Sequence, residues 1–324
     1  MKIFNLIRIC LLYPVVVCGL SLTSQANGTE SMAKLSSSGF YRLQLGEFEV
    51  TALSDGTVDL PMDKLLQQDA DKTKAQLAGV FLATPTETSV NGYLINTGEE
   101  LVLVDTGAGS LFGPTLGNIV ISLRAAGYKP SDVDHILLTH LHPDHVGGLA
   151  QDGERVFSSA MIHADQRDLD YWLSEAEMNK APEENKGFFQ GAMASLNPYV
   201  NAQKVVAFDG SQQILPGIKA NATHGHTPGH TSYLLESDGQ AMWVIGDLIH
   251  AAAIQFAYPE VTIDFDASPE LALAQRSRIF GQAANSKAMI AGAHLPFPGL
   301  GHLVKLQNGF KWIPANYQRL RSKR

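Results

Sequence analysis

Four residues with metal-binding side chains lie within six positions of one another, at His140, His142, Asp144 and His145. Neutral imidazoles and a carboxylate are ligands that suit zinc or a similar divalent ion. One ion cannot easily use all four side chains at this spacing. The pattern therefore predicts two adjacent ions, the first held by His140 and His142 and the second by Asp144 and His145.

The residues before this motif indicate how it is positioned. Residues 136–138 are apolar and predict a strand that ends where the histidines begin. Upstream, the alternating run at 48–53 predicts a strand followed by a turn at Asp55-Gly56, and residues 93–95 are expected to pair with 101–104. A strand that turns sharply into a loop can direct several ligands to one point.

The remaining periodicity predicts helices outside packed sheets. Apolar residues at Leu116, Ile119, Val120 and Leu123 indicate an amphipathic helix that ends near Gly127. Further strands are expected near 204–208, 232–235 and 242–245. They are followed by a helix with Ser268 as N-cap and Pro269 in first position, and by a last strand at 288–291. The two halves are expected to share one core.

The N-terminus predicts export. Lys2 and Arg8 precede an apolar stretch at 9–22 that ends at Ser24-Gln25-Ala26, which is typical of a secretory signal peptide. A membrane anchor and a lipoprotein modified at Cys18 are the alternatives, although Pro14 and Gly19 interrupt the stretch. We expect a signal peptide at 1–26, a flexible lead-in at 27–40 and one domain at 41–324, located in the periplasm or secreted, with no stable membrane span after cleavage.

Composition limits the classes of partner. The chain has 324 residues, of which 45% are hydrophobic and 17% charged, as expected for a globular protein. Its formal net charge is −8 and it has no long Lys/Arg-rich run, which argues against nucleic acid as the main partner. Both cysteines, Cys10 and Cys18, lie in the predicted signal peptide, so disulfides and cysteine ligands are not expected in the mature chain.

Several motifs together resemble a known family. The motif at 140–145, with Asp105-Thr106-Gly107 upstream and the stretches 225–230 and 246–247 downstream, resembles the metallo-β-lactamase superfamily. Within that superfamily, the stretches 45–48 with 53–57, 111–117, 186–189 with 192–199, and 294–299 resemble the methyl parathion hydrolases. The likeness runs from about Tyr41 to Tyr317. It implies an α+β fold, a four-layer αββα sandwich in a single catalytic domain, with two metal ions at one edge.

The resemblance also supplies ligands that the local spacing does not reveal. The implied set is His140, His142 and His226 for the first ion, Asp144, His145 and His294 for the second, and Asp247 for both. His226 is favoured over His224 and His230 because it directly precedes Thr-Pro-Gly. Asp105 is expected beneath the ions, where it accepts hydrogen bonds from the loop that bears the histidines. Zinc is expected, with cobalt or manganese as alternatives.

Such a site predicts hydrolysis without a covalent intermediate. Two divalent ions acidify a bridging water, and the resulting hydroxide attacks a phosphotriester resembling methyl parathion, an aryl ester or a lactone. Asp144 could also accept a proton. The resemblance places aromatic residues near the ions, which favours a neutral substrate with an aryl leaving group. The pocket candidates are Phe112, Trp172, Phe188 and Phe189, with Leu60, Leu65, Leu248 and Ile249 as weaker ones.

Two other functions remain open at this stage. The protein could be chiefly a lactonase or arylesterase with little phosphotriesterase activity, or a noncatalytic periplasmic metal-binding protein.

Asp247 argues against a true β-lactamase, which lacks a bridging carboxylate. His142 argues against flavodiiron proteins, which carry Glu there. Acyl-homoserine lactonases of this fold have Tyr where this chain has His250. The family resemblance also suggests a homodimer.

Overall fold

The strands form two large sheets. The computed structural model describes residues 39–318 and Leu320, and the following elements lie within them. The first sheet contains, in spatial order, β1 (Phe40–Leu45), β2 (Phe48–Leu60), β3 (Thr86–Asn96), β4 (Leu101–Val104), β5 (His135–Leu137), β8 (Met161–Asp165) and β9 (Val205–Phe208). The second contains β10 (Gln212–Leu215), β11 (Ile218–Ala222), β12 (Thr231–Ser237), β13 (Gln240–Val244), β14 (Met289–Ala291), β15 (Leu300–Lys305) and β16 (Phe310–Pro314). A separate hairpin pairs β6 (Ala150–Gln151) with β7 (Glu154–Arg155).

Helices connect these strands. They are α1 (Met62–Leu65), α2 (Ala70–Ala78), α3 (Ile119–Ala125), α4 (Pro143–Val146), α5 (Gln166–Trp172), α6 (Glu175–Lys180), α7 (Lys186–Asn201), α8 (Ala252–Gln255) and α9 (Pro269–Ser286). Short 3-10 helices occur at Pro130–Asp132, Gly147–Leu149 and Glu183–Asn185. No helix of the described part is both long enough and apolar enough to cross a bilayer.

Three apolar clusters hold the layers together. Between the sheets, Val50 and Val104 of the first pack with Tyr233 and Val244 of the second. The outer face of the first sheet is covered by a cluster that includes residues of α3 and α7, and the outer face of the second by one that includes residues of α9. The predicted αββα sandwich is therefore confirmed.

The topology brings loops from both sheets to one edge. Strands β4, β5, β8 and β9 are parallel, as are β13 and β14. Because the carboxyl ends of parallel strands point the same way, Asp105 after β4 and His140 after β5 lie at one end of the first sheet. Asp247 and His294 follow β13 and β14 in the second sheet. These loops form the candidate site.

Some local predictions were wrong. The predicted turn at Asp55-Gly56 is absent, since β2 continues to Leu60 and pairs with β3 across an irregularity between Ser54 and Gly56. Asp55 is fully buried and accepts backbone hydrogen bonds from Ala108, Gly117 and Ile119. The strand at 288–291 is not the last one, because β15 and β16 follow it. The predicted signal peptide and lead-in residues 27–38 lie outside the described residues.

Candidate metal centre

Asp105 lies beneath the histidine-bearing loop and organises it. Its carboxylate accepts hydrogen bonds from the Thr139 backbone N–H at 2.8 Å and the Thr139 hydroxyl at 2.7 Å, and its Oδ2 lies 2.9 Å from His145 Nδ1. The loop then enters α4, with His142 as N-cap and Pro143 in the first turn. After α4 the chain passes so close to Thr106 that only glycine fits at position 148, because a Cβ there would clash with the Thr106 carbonyl oxygen. The sequence motif thus folds as a short turn fixed from below.

The first group of converging side chains consists of His140, His142, His226 and Asp247, all buried. His226 Nε2 lies 3.1 Å from His142 Nδ1 and 3.3 Å from Asp247 Oδ2. His140 Nε2 lies 3.6 Å from the same carboxylate oxygen. This is the set expected around the first ion.

The second group consists of Asp144, His145 and His294. Asp144 Oδ2 lies 3.5 Å from His145 Nε2 and 3.4 Å from His294 Nε2. Asp247 also approaches this group, with Oδ1 3.3 Å from His145 Nε2 and Oδ2 3.2 Å from His294 Nε2. Asp247 therefore contacts both groups, as expected for a shared ligand.

The unpaired atoms of the cluster fit bound cations. His140 Nε2, His145 Nε2 and Asp247 Oδ1 are buried and have no hydrogen-bond partner. A buried polar atom without a partner is costly, and three that converge on one region are a set that divalent cations would satisfy. Imidazole nitrogens and carboxylate oxygens are also the donors that zinc accepts. The residues present could hold two divalent cations.

Electrostatics within the cluster favour the neutral imidazole at His140 and His142 and the charged form at His226. Burial, followed by the neighbouring histidines, lowers the pKa of His140 and His142 well below the usual value. Burial also opposes the charged form of His226, but hydrogen bonds to Asp247 and Asp266 raise its pKa to about 9. The negative carboxylates thus attract positive charge to the centre, which bound cations would supply.

The three histidines of the stretch 224–230 have different surroundings. Only His226 reaches the ligand cluster. His230 Nε2 accepts a hydrogen bond from the Asp247 backbone N–H at 3.0 Å, and its Nδ1 lies 2.8 Å from the Thr223 hydroxyl. His224 Nε2 instead lies 3.3 Å from Asp165 Oδ2. The assignment of His226 as the ligand stays a prediction, with which this convergence agrees.

Sequence reasoning missed several residues that support the cluster. Asp266 Oδ1 lies 2.9 Å from His226 Nδ1, and the buried Arg276 has Nη2 at 3.8 Å from Asp266 Oδ2. His250 was given no role, yet its Nε2 lies 3.1 Å from Asp247 Oδ2 and its ring stacks on His294. Asp266 and Arg276 are remote from the motif in sequence. Only the spacing of His250 from Asp247 could have pointed to it.

An apolar pocket opens beside the second group. Three of the pocket candidates line it, namely Leu60, Phe112 and Phe188. The sequence analysis missed Val58, Leu116 and Phe265, which complete its apolar wall. Asp144, Asp247, His250 and His294 also line it, so a neutral substrate in this pocket would meet the ligand cluster directly.

A second groove opens beside the first group, on the other side of Phe188. It is lined by Trp172, Phe188 and Phe189, with His142 and His226 at its base. Lys180 and Glu177, which form an ion pair of 2.7 Å, lie along the same groove. Trp172 contacts the His142 ring edge-on at 5.0 Å but is only 7% exposed, so it belongs to the core as much as to the groove.

Three of the weaker pocket predictions were wrong. Leu248 and Ile249 are 1% and 0% exposed and pack in the core with Ile279 and Phe280. They follow Asp247 in the chain, but their side chains are buried in this core and do not line the pocket. Leu65 packs, like Leu60, on the apolar cluster around Met62, but unlike Leu60 it does not line the pocket.

Comparison with known proteins agrees with this geometry. Residues 85–294 match the family model of the metallo-beta-lactamase superfamily. An N-acyl homoserine lactonase of Bacillus cereus is 26% identical over 241 residues, covering 68% of this chain and 84% of the lactonase.

Two solved structures resemble the whole domain. AbOPH, a hydrolase of the beta lactamase superfamily, superposes with a TM-score of 0.84 at 35% identity, covering 88% of this chain and all of the other. AidC, a dizinc quorum-quenching lactonase in complex with a product, superposes with a TM-score of 0.79 at 28% identity, covering 87% and 99%. With the two ligand groups and the αββα layers, these matches show that the chain belongs to the metallo-β-lactamase superfamily and is a metal-dependent hydrolase.

Proposed function

We propose that the protein is a binuclear hydrolase of neutral, activated esters, with lactones as one substrate class and aryl phosphotriesters as another. The observation that carries this proposal is the position of Asp247, which contacts both ligand groups at the base of an apolar pocket. The proposed ligands are His140, His142 and His226 for one cation, Asp144, His145 and His294 for the other, and Asp247 for both. Zinc is the first choice of metal.

When bound, the two cations would supply hydroxide near neutral pH and polarise the C=O or P=O oxygen of the substrate. The chain's own residues have other tasks. Val58, Leu60 and Phe265 exclude water from the substrate, and Phe112 and Phe188 contact its apolar part. Asp144, whose side chain lies on the pocket wall, is placed to accept a proton as the ester opens.

Lactone hydrolysis is supported by the relatives that act on homoserine lactones. This chain differs from those lactonases at His250, where they have Tyr. The His250 side chain lines the pocket, 3.1 Å from Asp247, so the difference bears on whether lactones are preferred. Aryl phosphotriesters are supported by the second groove, whose aromatic side chains suit a flat leaving group. Both substrate classes offer one activated centre to the same nucleophile.

The test is a measurement of metal content together with kcat/KM on matched substrates. The panel contains γ-lactones with short and long acyl chains, p-nitrophenyl esters and dialkyl p-nitrophenyl phosphates. We expect about two ions per chain and turnover of at least one class. Two ions per chain with no turnover of any class would instead support a noncatalytic metal-binding protein. The ratio between lactones and phosphotriesters decides which activity dominates.

We also propose that the mature enzyme is exported after cleavage following Ala26. Fractionation of cells that express the full chain, with N-terminal sequencing of the product, tests this. An uncleaved chain in the cytoplasm would contradict it. The mass of the purified protein in solution tests the homodimer that the family resemblance suggests.

A further inference from the structure

We propose that Asp168 is a positioning residue for the first cation, because its carboxylate joins the two loops that carry His142 and His226. This inference rests on the ligand set proposed above. Asp168 lies in the first turn of α5 and is fully buried. Among the described residues it belongs to none of the groups that could hold an ion directly.

The carboxylate accepts three hydrogen bonds from two different loops. Oδ2 accepts from the Leu141 backbone N–H at 3.1 Å and from the Thr227 hydroxyl at 2.9 Å. Oδ1 accepts from the Gly229 backbone N–H at 2.5 Å. Leu141 is the residue between His140 and His142, and Thr227 directly follows His226. Asp168 thus connects, from outside the ligand set, the two loops whose His142 Nδ1 and His226 Nε2 lie 3.1 Å apart.

The shape of the second loop is adapted to this contact. A Cβ on Gly229 would lie 2.6 Å from the Asp168 backbone nitrogen and 3.0 Å from Asp165 Oδ1. Only a residue without a side chain lets the loop approach the start of α5 this closely. The glycine of the Thr-Pro-Gly segment thus permits the hydrogen bond to Asp168.

A carboxylate is required at this position because three donors need acceptors there. All three donors are uncharged, and burial raises the pKa of Asp168 to about 6, so the charge is kept at an energetic cost. Asparagine has only one acceptor oxygen. Its NH₂ group would face a backbone N–H, so that two donors would meet without an acceptor. Only the ionised carboxylate accepts all three bonds at once.

The experiment compares zinc affinity in Asp168→Asn, Thr227→Val and wild type, by competition with a chromophoric chelator. We expect Asp168→Asn to lower the affinity for one of the two zinc ions by about tenfold or more, which is the range found for residues that orient ligands. Thr227→Val removes one of the three hydrogen bonds and should lower the affinity for the same ion by a smaller factor. In the double variant the effect of Thr227→Val should be smaller than alone, because both act through one contact. The visible spectrum of the cobalt-loaded protein should change in Asp168→Asn.

Tyr199→Phe is the matched control. The Tyr199 hydroxyl is buried, donates to the Leu149 carbonyl at 2.9 Å and accepts from the Phe157 N–H at 3.0 Å, and neither partner belongs to the segments that Asp168 joins. Its loss should lower thermal stability without changing zinc affinity or the cobalt spectrum. An equal loss of zinc affinity in Tyr199→Phe would show that general destabilisation is the cause and would overturn the proposal.

The outcomes separate this inference from the proposed function. Wild type that binds no ion would overturn both. Wild type that binds one ion would overturn the binuclear proposal, and the effect of Asp168→Asn on that ion would still decide the role of Asp168. Wild type that binds two ions, with unchanged affinity in Asp168→Asn and Thr227→Val, would overturn the role of Asp168 alone. If Asp168→Asn does not fold, Thr227→Val with its cobalt spectrum decides the question, and affinity equal to that of wild type counts against the proposal.

Discussion

Asp266 Oδ1 and His226 Nδ1 lie 2.9 Å apart, and this hydrogen bond turns the other nitrogen of His226 toward Asp247. Arg276 in turn lies beside Asp266 and donates to the carbonyl oxygens of Leu248, Pro259 and Val261. A buried arginine on α9 therefore supports a ligand on a loop of the second sheet. Such support fixes the ring before any cation arrives.

Replacement of His226 should have much larger effects than replacement of its neighbours. His226→Ala should remove about one ion per chain and lower kcat/KM by more than the roughly 10–100-fold typical of residues that only orient a ligand. His224→Ala removes only a contact with Asp165 and should retain both ions. Elemental analysis and kinetics check this. Metal content in His226→Ala equal to wild type would refute the assignment.

Removal of the cations should abolish hydrolysis. Dialysis against a chelator should eliminate turnover, and addition of Zn²⁺, Co²⁺ or Mn²⁺ should restore it, because the nucleophile is generated at the cations. The melting temperature should fall in parallel, since a ligand at about 100 times its Kd stabilises by roughly 2.7 kcal/mol. Full activity in protein shown by elemental analysis to lack metal would exclude the mechanism.

Phe188 and Trp172 should respond differently to truncation. Phe188 lines both the pocket and the groove. Phe188→Ala should therefore lower kcat/KM for aryl substrates, because it removes apolar contact worth roughly 1–3 kcal/mol of transition-state stabilisation. The kcat/KM for a small lactone should change little. Trp172 is mostly core, so Trp172→Ala should lower the free energy of unfolding by about 3–5 kcal/mol. Kinetics and thermal melts of both variants separate the two roles. A uniform loss on all substrates in Phe188→Ala would contradict its place in the pocket.

His163 should contribute to the pH dependence of stability. Burial, and then His135 with Nδ1 at 3.0 Å, lower the pKa of His163 to about 4. The unfolded chain therefore binds a proton that the folded chain excludes between about pH 6.5 and pH 4, and stability is lost as the pH falls through that window. His163→Gln should lose less stability, by up to about 1.4 kcal/mol for each pH unit of the window. Denaturant titrations at several pH values check this, and identical slopes for both proteins would contradict it.

The sequence carried enough information for the expected ligands and for Asp105 beneath them, but not for the other residues that support them. The motif at 140–145 is local, and the family resemblance supplied His226, Asp247 and His294 at positions that the structure brings together. Asp168 and Asp266 have no local pattern, because each meets the loops only after α5 and the 263–268 segment have packed. Their function depends on tertiary contacts that composition and spacing do not encode.

Asp55 shows why one part of the fold was mispredicted. Asp-Gly is a strong turn signal, but here the carboxylate accepts three backbone hydrogen bonds from the segment 108–119, and the strand continues past it. Leu248 and Ile249 show the opposite error. They were expected to line the pocket, whereas their apolar side chains are buried in the core with residues of α9.

The ligand cluster draws its side chains from both sheets. His140 to His145 follow β5, while His226, Asp247 and His294 belong to loops of the second sheet. Bound cations would therefore act as cross-links between the two halves of the sandwich, in a chain whose only cysteines lie at positions 10 and 18. The amount of folded enzyme that a cell accumulates should then vary with its supply of zinc, even where the gene's expression is constant.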